Sequence, residues 1–105
     1  MKHMLPAELQ ARMGAGEKLQ LVDVREMWEF NTARIGGSVL MPMGEMEARV
    51  AEIDNDADIV VICHHGGRSM QVAAFLEREG FSKVHNLTGG VDAWARTIDP
   101  SMPTY

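Results

Sequence analysis

The sequence predicts an α/β domain in three layers, α/β/α, with a central, mostly parallel sheet covered by helices on both faces. Two observations carry that prediction. Short apolar runs alternate with amphipathic segments along the chain, the pattern of successive strand–helix–strand units. The run Ile59-Val60-Val61-Ile62 is β-branched and apolar at every position, as suits a strand buried on both faces of a parallel sheet.

The elements follow in order. Leu5, Leu9 and Met13 recur every four residues, with Pro6 fit for a first helical turn and Gly14 for its end. Leu19-Gln20-Leu21-Val22-Asp23-Val24 reads as a strand. A polar-aromatic turn around Trp28, Glu29 and Phe30 leads to the breaker Ile35-Gly36-Gly37. Ser38-Val39-Leu40-Met41 reads as the next strand, stopped by Pro42. Met46, Val50 and Ile53 predict one amphipathic helix from about 43 to 53, closed by Asp54-Asn55-Asp56. After Ile59–Ile62 and a glycine-rich loop, a helix is predicted from about Ser69 to Glu79, with Val72, Phe75 and Leu76 inward and Gly80 at its end. Lys83–Leu87 reads as a last strand, and Gly90 to Ala95 as a short helix carrying Trp94.

Composition narrows the function classes. At 105 residues the chain has the length of one domain, and 46% hydrophobic with 24% charged residues is ordinary for a globular protein. The formal charge of −5, without a basic cluster, argues against binding to nucleic acid or to an anionic membrane surface. No apolar run reaches the ~20 residues that span a bilayer. The start lacks the apolar core of a secretion signal, and a single cysteine cannot form an internal disulfide. The expectation is a cytoplasmic monomer. Nine scattered methionines read as flexible core filling.

The chemistry concentrates at Cys63-His64-His65-Gly66-Gly67-Arg68-Ser69. Ligands of parallel sheets bind beyond the carboxyl ends of the strands, and Cys63 stands at that end of the most apolar one. A cysteine acts as a nucleophile only as thiolate, so its surroundings must stabilise negative charge. The helix that follows offers unpaired N–H groups and a favourable dipole. Gly66 and Gly67 allow a tight turn that aims more N–H groups inward, forming an anion nest. Arg68 adds a positive charge, and Ser69 is placed to cap the helix or to donate its hydroxyl to sulfur. The pattern predicts a thiolate that handles an anion.

With those residues in view, Val61-Ile62-Cys63-His64-His65-Gly66-Gly67-Arg68-Ser69 resembles the active-site loop of rhodanese-type sulfurtransferases. The resemblance continues in Leu21-Val22-Asp23-Val24-Arg25-Glu26, Trp28-Glu29-Phe30, Gly80-Phe81, Leu87–Trp94 and Asp99–Pro103. It departs at Ala33-Arg34-Ile35-Gly36-Gly37-Ser38, where the family usually carries Gly-His-Ile-Pro-Gly-Ala; Arg34 replaces a histidine and Gly36 a proline. The resemblance implies a sheet of about five short strands and no metal or organic cofactor. It implies that Cys63 takes sulfur from an anionic donor such as thiosulfate or a persulfide and passes it to a thiol, to cyanide or to a protein acceptor. The loop N–H groups from His64 to Ser69 would hold the persulfide, and Arg68 would attract the donor.

Two rivals are weighed against this reading. Cysteine phosphatases and arsenate reductases use Cys-x5-Arg to ring an oxyanion, whereas four residues separate Cys63 from Arg68 here, a narrower loop. An interaction module without activity is disfavoured by the presence of Cys63, Arg68 and Ser69 together, while a persulfide carrier stays open. His64 and His65 are read as the pocket rim and not as metal ligands, because three consecutive residues rarely face one ion. Asp23 and Arg25 are read as a charge pair that supports the loop, and Trp28 and Trp94 as packing.

Overall fold

In the computed structural model, which describes residues 1–105, the strands β1 (Lys2–Met4), β2 (Leu19–Asp23), β3 (Val39–Leu40), β4 (Asp58–Ile62) and β5 (Val84–Leu87) form one sheet. Their order is β1-β5-β4-β2-β3, and all four pairings are parallel. The sheet is therefore wholly parallel. β4 lies at its centre, with Leu21 opposite Val60 and Val61 opposite Asn86. The helices are α1 (Pro6–Gly14), α2 (Met27–Thr32), α3 (Met46–Arg49), α4 (Gly67–Arg78) and α5 (Gly90–Thr97).

The alternation of a strand divides β4 between two cores. Ile59 and Val61 pack with Met46, Ile53, Val72, Ala73 and Leu76 on the face covered by α3 and α4. Val60 and Ile62 pack with Leu9, Val91 and Trp94 on the face covered by α1 and α5. Cys63 continues the odd-numbered row, so its side chain falls on the α4 side. All four residues from Ile59 to Ile62 are fully buried, as their composition required.

Several elements depart from the sequence-based expectation. β1 is a three-residue edge strand with Lys2 and His3 exposed; only Met4 is buried, so no apolar pattern marked it. Of the stripe predicted for α1, only Leu9 faces the core, beside Pro6; Leu5 and Met13 are exposed. The turn expected around Trp28 is the helix α2, too short to show a period, and its N-terminus is held by the Glu26 N–H donating to Glu29 Oε1 at 2.9 Å. The single helix expected over 43–53 is instead a 3₁₀ turn (Met43–Glu45), the one-turn α3 and a second 3₁₀ turn (Val50–Glu52). Spacings of four and three fit both helix types, and Met46 and Ile53 alone of this stripe are fully inside. β3 pairs only at Val39 and Leu40, Lys83 lies outside β5, α4 starts two residues before Ser69, and α5 runs to Thr97. At the Arg34 departure, the guanidinium lies 4.4 Å from the Phe30 ring centroid, a cation–π contact over buried Phe30. No helix is long and apolar enough to cross a membrane.

Leu76 is completely buried between α4 and the sheet. Leu76→Ala should cost about 2–5 kcal/mol of stability, read as a lower urea midpoint at unchanged slope. A midpoint within error of the native protein would mean that α4 does not anchor this face.

Candidate active site

The cysteine loop bridges the C-terminal end of β4 and the first turn of α4, and glycine permits its shape. Gly66 has φ +110°, in the left-handed region, and is the residue from which α4 starts. That turn swings the Gly66 N–H onto the Cys63 sulfur, with N···Sγ at 3.0 Å. Ser69 Oγ lies 3.3 Å from the same sulfur. As the third residue of α4, Ser69 does not cap the helix, which corrects one of its two expected roles. Its hydroxyl has one proton and three acceptors in reach: Cys63 Sγ, the Gly66 carbonyl at 3.1 Å, and Asn86 Oδ1. Cys63 is a free thiol, 2% exposed.

The other wall of the loop is the start of α5. The N–H of Val91 donates to the Cys63 carbonyl at 2.9 Å, and that of Asp92 to the His64 carbonyl at 3.0 Å. This approach needs Gly90, at φ +60°: a Cβ there would sit 2.2 Å from the Cys63 oxygen and 2.5 Å from that of His64. The Leu87-Thr88-Gly89-Gly90 stretch thus has a backbone function, to let one turn of helix grip the cysteine loop.

Arg68, its side chain 34% exposed, is not a free cation. Its Nη1 and Nη2 donate to Glu29 Oε1 and Oε2 at 2.7 and 2.8 Å, a bidentate pair. The Glu29 side chain is 5% exposed. Its two oxygens also accept the Glu26 N–H and, at 2.9 Å, the Tyr105 hydroxyl. These four donors match the acceptor capacity of a carboxylate. The hydrogen bonds from Arg68 dominate and hold the Glu29 carboxyl at about 2, and in return Glu29 raises Arg68.

Behind this pair sits the one predicted from sequence. Arg25 and Asp23 are both fully buried, with Nε–Oδ1 at 2.9 Å and Nη2–Oδ2 at 2.7 Å. Arg25 also donates to the Ala33 carbonyl at 2.6 Å and, through Nη1, to the Tyr105 hydroxyl at 2.7 Å. Tyr105 therefore accepts from Arg25 and donates to Glu29, joining the two ion pairs into one chain that ends at the cysteine loop.

His64 and His65 form the rim. The His64 ring stacks on Tyr105 with centroids 4.0 Å apart and planes 13° apart, and lies 3.9 Å from the His65 ring. Burial, followed by the neighbouring His65, pushes the His64 imidazole below its ordinary value. Trp28, 60% exposed, meets the Tyr105 ring edge-on at 5.4 Å; it is a rim residue, whereas Trp94 is core. A carboxylate distant in sequence, Asp92, joins the histidines, with ligand-type atoms of the three within 4.8 Å of one another. Arg96 already pairs with that carboxylate at 3.0 Å.

The structure brings Cys63, Gly66 and Ser69 together, while Arg68 turns to Glu29, and Asp23 and Arg25 join that pair through Tyr105. Sequence reasoning assigned no role to Glu29, Asn86, Gly90, Asp92 or Tyr105. Glu29 and Gly90 stood inside the family-like motifs, but their partners lie on other elements.

The site is thus a buried free thiol at a strand terminus, receiving a backbone N–H and a hydroxyl in a loop shaped by glycine, on a wholly parallel α/β fold. Residues 5–97 match the rhodanese-like domain model, and the chain belongs to that family. It is 39% identical over 88 residues to a sulfurtransferase of Allochromatium vinosum, covering 84% of this chain and 82% of that one. It is 39% identical over 83 residues to a putative sulfur carrier protein of Bacillus subtilis; that match covers 79% of this chain but 45% of the relative, so the chain spans less than half of it. The crystal structure of a rhodanese-like domain protein from Staphylococcus aureus superposes with a TM-score of 0.86 at 27% identity, covering 100% of this chain and 99% of that one.

Two predictions arise from this geometry. Folding holds the Glu29 carboxyl at about 2 against an ordinary 4.5, so the stabilisation is complete above about pH 4.5 and drains as pH falls toward 2. The contribution is on the order of 3 kcal/mol. Urea titrations from pH 7 to 3 should show a shallower acid loss for Glu29→Gln than for the native chain; parallel curves would refute it. Gly90→Ala should destabilise the domain by about 2–4 kcal/mol and slow Cys63 alkylation, because both left-handed strain and a backbone clash result. A native melting temperature with native alkylation would show that the grip of α5 is dispensable.

Proposed function

We propose that this domain is a sulfurtransferase that carries a sulfane sulfur as a Cys63 persulfide. The observation that carries the reading is the pair of donors on Cys63 Sγ, the Gly66 N–H at 3.0 Å and the Ser69 hydroxyl at 3.3 Å, in a family with members named sulfurtransferases. In the first half-reaction the thiolate attacks the outer sulfur of a donor, thiosulfate or a persulfide, and the donor's S–S bond breaks. Sulfite or a thiolate leaves. In the second, a thiol or cyanide attacks the Cys63-bound sulfur and regenerates the thiolate, a ping-pong sequence. The first-turn N–H groups of α4, which have no intrahelical acceptor, favour the negative charge of the persulfide. The Ser69 proton moves from its oxygen acceptors toward sulfur as charge gathers there. These steps require no metal or organic cofactor, and a free thiol of this kind suits a reducing, cytoplasmic setting.

A second reading is a persulfide carrier that delivers to a protein acceptor, favoured by the similarity to the Bacillus putative sulfur carrier protein. The spacing of four residues between Cys63 and Arg68, with Arg68 bound to Glu29, disfavours phosphatase or arsenate reductase chemistry, in which the arginine would grip the oxyanion.

Intact mass after brief incubation with thiosulfate or cysteine persulfide tests the proposal. The native chain should gain one sulfur, removable by cyanide or a thiol, and Cys63→Ser should gain none. If neither donor adds sulfur to the native chain, the proposal fails. Removal by cyanide and small thiols at many turnovers per minute marks a free-standing enzyme; loading without turnover marks a carrier.

A further inference from the structure

The cation that follows the cysteine in this loop is already paired. Arg68, expected from sequence to draw in the anionic donor, is bound through both terminal nitrogens by a carboxylate that is itself nearly inaccessible. Glu29 cannot easily let go, because Glu26 N–H and the Tyr105 hydroxyl fix it from the other side. Other cations around the loop are committed as well: Arg25 to Asp23, and Arg96 to Asp92. The rim meanwhile is aromatic, with Trp28, Tyr105 and His64 in successive ring contacts.

Charge bookkeeping of the first half-reaction then discriminates between donors. With thiosulfate, Cys63–S⁻ and S–SO₃²⁻ give Cys63–S–S⁻ and SO₃²⁻, which gathers three negative charges on both sides of the equation. With an organic persulfide, Cys63–S⁻ and R–S–S⁻ give Cys63–S–S⁻ and R–S⁻, which gathers two. In each case the S–S bond of the donor breaks, its electron pair leaves with the departing group, and one S–S bond forms at Cys63. The extra charge of thiosulfate calls for a cation that Glu29 has taken away.

Building on the sulfurtransferase reading, we infer that Glu29 sets the charge selectivity of the site: by holding Arg68 it disfavours dianionic thiosulfate and selects a monoanionic organic persulfide, whose body rests against Trp28, Tyr105 and His64. Glu29 is a positioning residue and acts through Arg68. Its removal as a charge leaves the Arg68 guanidinium uncompensated beside the cysteine loop.

Steady-state rates with thiosulfate and with cysteine persulfide, at ionic strengths from about 20 to 300 mM, test this. For the native chain, kcat/KM should be at least about tenfold higher for cysteine persulfide. The thiosulfate rate should rise or stay level with salt, since like charges are being screened. In Glu29→Gln the ratio should move about tenfold toward thiosulfate, chiefly through KM, and the thiosulfate rate should now fall with salt. A purely structural role for Glu29 would lower both donors' rates together and leave the salt dependence unchanged. An unchanged ratio in Glu29→Gln, or a native thiosulfate rate that falls with salt, overturns the inference. The native salt series needs no variant and decides the matter even if Glu29→Gln fails to fold. Absence of Cys63 persulfide by intact mass with both donors would instead sink the sulfurtransferase reading, and the selectivity with it.

Discussion

The site depends on one backbone contact, the first turn of α5 pressed against the carbonyls of Cys63 and His64. A trans peptide points its C=O and N–H in opposite directions. Pinning those two oxygens to α5 therefore turns the N–H groups of His64 and His65 away from it. Gly90 makes the approach possible, and Gly66 closes the loop onto sulfur. Neither glycine has a side chain to offer, yet each decides where the amides point.

A second system stabilises this one from below. Asp23, Arg25, Tyr105, Glu29 and Arg68 run in an unbroken series of hydrogen bonds from the end of β2, through the C-terminal tail and α2, to the first turn of α4. Buried charges of this kind are costly unless every donor and acceptor is used. Here every buried side-chain nitrogen and oxygen has a partner. The loop consequently inherits its position from groups that are spatially close but come from four separate segments of the chain.

That is why the fold was more legible in the sequence than the site's electrostatics. Ile59–Ile62 announced a central strand by composition alone, and the glycines after Cys63 announced a turn into a helix. Period-based reasoning fails where an element is shorter than its period, as in β1 and α2, or where two helix types share a spacing, as over 43–53. The charge of Arg68 was visible, but its neutralisation was not, because Glu29 lies 39 residues earlier and Tyr105 lies on the far side of the molecule in sequence. A residue's formal charge belongs to the sequence; the field it exerts belongs to the fold.

The recess of Cys63 has a consequence for the life of the protein in an oxidising episode. An intermolecular disulfide requires two sulfurs about 2 Å apart with their Cα atoms within about 7 Å. A thiol 2% exposed at the floor of a loop cannot meet its counterpart on another copy of the same chain without unfolding that loop. The domain thus keeps its only thiol from being lost to covalent dimers, by geometry and without a protecting partner.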